Sequence, residues 1–150
     1  MFIPVLVLLL VGAVQLGKIT YTYYALKKTL YAAAHYLASQ QGVNFCDEGD
    51  TAIAVAKSFA LTGAPGAEAQ PRIVGLTAEQ ISIEMECYDS GTQSLGQCSI
   101  EGCGTVAGGP TPDSIVVSIP NGYPVQPRIP GLTLDPVQLR PTVRIPFGGT

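Results

Sequence analysis

The chain opens on an unbroken apolar run. Residues 2–17 read FIPVLVLLLVGAVQLG, with no charge and with Gln15 as the only strongly polar side chain. At ~1.5 Å per residue the run covers about 24 Å of helix, a little short of a ~30 Å hydrocarbon core. Ile19, Tyr21, Tyr23 and Tyr24 extend it to spanning length. The tyrosines fall where an interfacial aromatic belt sits, and Lys18 can reach outward beside them. A second pattern follows without a break. Ile19, Tyr23, Leu26, Leu30, Ala33 and Leu37 recur at alternating spacings of four and three, which is one stripe of a helix. Lys27, Lys28 and His35 fall off that stripe. No proline or glycine interrupts the chain between Lys18 and Gln41, and Pro4 suits a first turn. The pattern predicts one helix over residues 4–41, ending at Gly42 as a left-handed cap. Its apolar half is 1–17 and its amphipathic half 18–42.

The remaining residues, 43–150, have the pattern of a small α+β domain. Residues 50–61 read as a short amphipathic helix with Asp50 or Thr51 as its N-cap. Residues 63–75 form a loop rich in glycine, proline and alanine. Ile81, Ile83, Met85 and Cys87 then alternate with Ser82, Glu84 and Glu86, a strand with one buried and one solvated acidic face. Residues 89–112 are dense in glycine, serine and threonine and read as an exposed loop. SIVVSI at 114–119 is a second strand, and Asn121-Gly122 is a hairpin signal. Prolines 124, 127, 130 and 136 make 123–136 extended loop or edge. Residues 139–147 form a final edge strand, with Leu139, Val143 and Ile145 set against Arg140 and Arg144. The predicted architecture is a long N-terminal helix whose C-terminal half packs on an antiparallel sheet of three or four strands.

Charge divides the chain in the same place. Residues 1–44 carry three lysines and no acid, whereas the rest carries five bases against eleven acids. Such an asymmetry points to two environments. An acidic folded part also argues against nucleic acid as a partner, which would want a basic face. The charged fraction of 13% is about half that of an average soluble chain (~25%).

Cys46, Cys87, Cys98 and Cys103 all follow the apolar run. An even count downstream of a membrane-type segment indicates disulfides formed in an oxidising compartment. Three connectivities are possible. The expected one closes Cys98–Cys103 as a small loop and ties the helix end to the acidic strand through Cys46–Cys87. Zinc is disfavoured, because the chain has no C-x-x-C pair and its one histidine, His35, lies upstream on the helix. The acids of DEGD lack the spacing of a calcium loop. EGCGTVAGG lacks the Lys-Ser/Thr of a phosphate loop. Glu84 and Glu86 stand at period two with no histidine beside them, so a solvated face is expected rather than a catalytic pair. No catalytic, metal or cofactor site is predicted, and no enzyme. A cleaved signal peptide is also disfavoured, because the residues after the run continue as helix.

A helix that is lipid-soluble in one half and amphipathic in the other needs two kinds of partner. Its residues resemble a known family. Pro4, then Gly12, Gln15, Leu16, Gly17 and Lys18, then Tyr24, Ala25 and Leu26, then Ala32 to Ala34 and Tyr36 are similar to the N-terminal helix of TadE-like proteins, the pseudopilins of tight-adherence (Tad) type pili. The likeness covers about 40 residues. Pilin-like precursors usually carry a basic leader and a glutamate before the apolar run, whereas this chain opens Met-Phe-Ile-Pro. The resemblance implies a subunit that waits in the inner membrane with its domain exported. It is then polymerised by the pilus assembly machinery into an extracellular filament of identical copies. Phe2, Ile3, Val5, Leu6, Leu8, Leu9, Leu10, Val14 and Leu16 would form the filament core. Ile19, Tyr23, Leu26, Leu30, Ala33 and Leu37 would hold the domain on its helix. The alternative is a minor pseudopilin or monomeric envelope protein that primes assembly, and a remoter one is an adhesive tip module.

Overall fold

The computed structural model of the protein describes residues 2–45, 47, 49–64, 71–98, 111–129 and 132–148. Helix α1 spans Ile3–Ala38, with Pro4 in its first turn. Its 36 residues give a rod of about 54 Å. The helix ends before residue 41. The Ser39 N–H donates to the Tyr36 carbonyl at 3.2 Å and the Gln40 N–H to the Leu37 carbonyl at 3.1 Å, a tightened last turn. The Ser39 hydroxyl also donates to the Tyr36 carbonyl, at 2.8 Å. The chain must reverse here because Val43 is a core residue, 1% exposed. Gly42, with φ of 70°, makes the reversal.

Helix α2 spans Thr51–Thr62 and lies against α1. Asp50 is its N-cap. One carboxylate oxygen accepts the Ala52 N–H at 2.8 Å, and the other accepts the Asn44 N–H at 3.1 Å. A single side chain thus starts α2 and fastens it to the segment leaving α1. Ile53, Ala56 and Ala60 are buried, and the Tyr36 and Phe59 rings meet at 4.9 Å between centroids. Gly63 closes the helix at φ 75°, its N–H donating to the Phe59 carbonyl.

The strands follow as β1 Ser82–Asp89, β2 Ser94–Gln97, β3 Ser114–Ser118, β4 Tyr123–Val125, β5 Arg128–Ile129, β6 Leu132–Thr133, β7 Val137–Leu139 and β8 Thr142–Pro146. Four of them form an antiparallel sheet in the order β2-β1-β3-β8. Two short ribbons, β4 with β7 and β5 with β6, complete the pairing among the described residues. The sheet lies on α1 through β3 and β8. Its inward residues Ile115, Val117 and Val143 join Leu26, Leu30, Ala33 and Leu37 of α1 and Ile53, Ala56 and Ala60 of α2 in one buried cluster. Prolines 141 and 146 bracket β8, which is an edge strand as their missing N–H groups require.

Three local expectations change. Part of the predicted loop 89–112 is strand β2, which returns along β1 as a hairpin. Its sequence SLGQ is exposed throughout, so no apolar alternation marks it. Asn121-Gly122 does make a turn, with Gly122 at φ 77° and its N–H bonded to the Ile119 carbonyl at 3.0 Å. The strands on either side of that turn do not pair with each other; β4 leaves the main sheet to pair with β7. The predicted strand 139–147 is split, since β7 ends at Leu139 and β8 begins at Thr142.

The fourth change is the disulfide. Cys87 is bonded to Cys98, with Cα atoms 4.9 Å apart. The β1–β2 register sets Cys87 opposite Gly96, and the Cys98 N–H donates to the Met85 carbonyl, so the hairpin itself brings the two sulfurs together. Each expected pair, Cys46–Cys87 and Cys98–Cys103, needs a sulfur already used. Cys46 and Cys103 lie outside the described residues.

Candidate functional surface

The surface that needs explanation is α1. Phe2, Ile3, Val5, Leu6, Leu8, Leu9, Leu10, Val14 and Leu16 are all exposed, each by 59% or more. Fully burying one such side chain is worth about 1.5–3 kcal/mol. A row of them left bare in water is therefore strongly unfavourable, and this half of α1 requires lipid or another protein. Among the described residues one helix is long and apolar enough to cross a membrane, Val5–Ala38 by length and composition.

The second half of α1 is the opposite. Leu26, Leu30, Ala33 and Leu37 are fully buried, and Ile19 and Tyr23 are partly buried against the same core. Ala34 and Thr29 are buried beside them. The Thr29 hydroxyl is satisfied by the Leu26 carbonyl at 2.8 Å. Tyr21, Tyr24 and Tyr31 stand on the open side of the helix. His35 is exposed, with its ring 6.2 Å from that of Tyr31.

The boundary between the halves is not at residue 18 on every face. Val11, Gly12 and Gln15 are half-buried, and the Gln15 side-chain amide donates to the Arg128 carbonyl at 2.7 Å. The domain therefore follows one face of α1 back into the apolar run. The signal was present: stepping back by four from Ile19 reaches Gln15 and then Val11. Gly12 and Gly17 are not needed for this contact, because a Cβ at either would meet nothing within 4 Å.

The acidic candidates are used by the fold. Asp50 caps α2, and Asp47 accepts the Gly49 N–H at 2.9 Å. Glu48 lies outside the described residues. Glu84 is exposed and accepts the Ser82 hydroxyl at 3.1 Å. Glu86 is not on a freely solvated face as expected; its side chain is only 18% exposed and is held by Arg144. Among the described residues no three or more of His, Cys, Asp and Glu cluster as metal ligands would. A groove of about 590 Å³ runs between α1 and residues 72–74, lined by Tyr21, Tyr24, Lys28, Arg72 and Val74 among others. Arg72 is partly committed there, donating from Nε to the Thr62 carbonyl at 2.8 Å.

No family model, no curated protein and no solved structure matches the chain.

Proposed function

We propose that the chain is a pilin-like structural subunit, of the kind its helix resembles in TadE-like pseudopilins. In this reading it polymerises through the N-terminal half of α1 into an extracellular type IV-like pilus filament. The observation that carries the reading is the division of α1 into a half with bare apolar side chains and a half that is one wall of the domain core. A plain anchor has no need of rigid continuity between the two. A filament subunit does, because the position of each domain is then set by the packing of its helix. Before assembly the bare half sits in the inner membrane with the domain outside. On extraction, lipid contacts give way to helix–helix contacts, so apolar burial is nearly conserved while close packing is gained.

Shearing cells and imaging the released material tests this. Filaments that contain the chain in quantity are expected. Recovery of the chain only in the membrane fraction would overturn the polymer and leave a membrane-anchored protein that acts on assembly by others.

A further inference from the structure

The apolar run and the folded domain are not separated by a linker. Beside Gln15 the domain reaches into the run, and α1 touches β5 there. At the other end, the Gly148 N–H donates to the Ala38 carbonyl at 3.2 Å. At ~1.5 Å per residue these contacts lie about 35 Å apart along α1. Strand β5 thus marks one pole of the domain and Gly148 the other.

The chemistry of the β5 pole is distinctive. Between residues 119 and 139 the only charged side chains are Arg128 and Asp135. Leu134 and Val137 are large, apolar and exposed. Lys18 and Arg128 are exposed, and among the described residues neither has an ion-pair partner. This pole thus presents two exposed apolar side chains and two cations against a single acid, Asp135, whereas the chain beyond residue 44 is acidic as a whole. The Gln15–Arg128 hydrogen bond fastens this pole to the apolar run.

We propose that the β5 pole rests in the interfacial layer of the membrane, with Arg128 and Lys18 reaching the anionic phosphates of the lipid headgroups. This rests on the reading that the bare half of α1 is membrane-inserted. The occupant is lipid because the patch is continuous with the bare run, so inserting the run carries β5 to the membrane surface. Apolar side chains settle in the interfacial layer, and long cationic ones extend from it to the phosphates.

The test uses the full chain with its disulfides intact, in vesicles of phosphatidylcholine containing phosphatidylglycerol. A fluorophore is placed by Leu134→Cys, Leu9→Cys or Gly148→Cys, and lipids spin-labelled at the headgroup or deep in the acyl chain act as quenchers. The headgroup quencher is expected to quench the label at 134 several-fold more than the label at 148, with the label at 9 quenched by the deep lipid. Arg128→Glu should reduce quenching at 134 and leave that at 9 unchanged. If the label at 9 is quenched but 134 and 148 behave alike, the helix is inserted and the proposed contact is wrong. If the label at 9 is not quenched, the membrane reading itself fails and the contact falls with it. No effect of Arg128→Glu would remove the phosphate contact.

Discussion

Glu86 on β1 and Arg144 on β8 meet across the intervening strand β3. The Arg144 Nε and Nη2 groups donate to the two carboxylate oxygens at 2.6 and 2.7 Å, and Ser114 of β3 donates to one of them at 3.2 Å. Three strands are thereby tied on the outer face of the sheet. The fork geometry favours the pair, but Arg144 is 56% exposed and water screens it. A double-mutant cycle with Glu86→Gln and Arg144→Met should give a coupling of about 1 kcal/mol in chemical unfolding. A coupling indistinguishable from zero would reduce the pair to a surface ornament.

The two halves of α1 should respond differently to truncation. Leu30 is fully buried and Leu9 is 67% exposed. In detergent micelles, Leu30→Ala should lower domain stability by about 2–5 kcal/mol. Leu9→Ala should change it by less than about 0.5 kcal/mol. Comparable losses from both would mean that the apolar half is part of the cooperative fold.

Peptide mapping of the unreduced protein should recover Cys87 linked to Cys98. Recovery of Cys46–Cys87 or Cys98–Cys103 peptides instead would contradict the hairpin register. The bond closes a short loop, with a sequence separation of 11. Replacing both cysteines by serine should therefore cost about 2–3 kcal/mol through the freed chain entropy of the unfolded state.

The turn between β1 and β2 contains a pH-sensitive group. Asp89 accepts the Gly91 N–H at 2.8 Å and the Thr92 hydroxyl at 3.0 Å. Those bonds, the backbone one foremost, favour the ionised carboxylate and hold its pKa below the usual aspartate value. The sign follows from that direction. The contribution of Asp89 to the folded state is complete above the unfolded value of ~3.9 and is lost as the pH falls through the lower folded one. In an NMR titration, the Gly91 amide shift should move with a midpoint below ~3.9. A midpoint at or above that value would show that the carboxylate is not engaged.

The parts that were legible in the sequence are those written in local periodicity. The apolar run, the stripe from Ile19 to Leu37 and the alternation of Ile81, Ile83 and Met85 each repeat at the period of their element, so α1 and β1 could be placed from residues alone. The α2 cap was readable as Asp50 or Thr51, because a short acceptor directly before an apolar helix has one main use, and the structure gives the role to Asp50. Strand β2 was not legible. It lies at the sheet edge with all four side chains exposed, and an edge strand without a buried face carries no period-two signal. The disulfide was missed for the same reason, since its pairing depends on the β1–β2 register.

By itself, the sequence determined that one rod-like helix has a lipid-soluble half and a core-forming half, and that a small antiparallel sheet covers the second. Helical and strand periods are properties of consecutive residues, so no tertiary contact is needed to read them. Only the tertiary structure decided where the domain stops along that rod. Arg128 lies 113 residues from Gln15, and a hydrogen bond over that separation is set by how β4 to β7 fold back. The same is true of Glu86 with Arg144 and of Cys87 with Cys98. Each pair is fixed by strand order and register, which arise from packing the whole sheet on α1 and not from any local pattern.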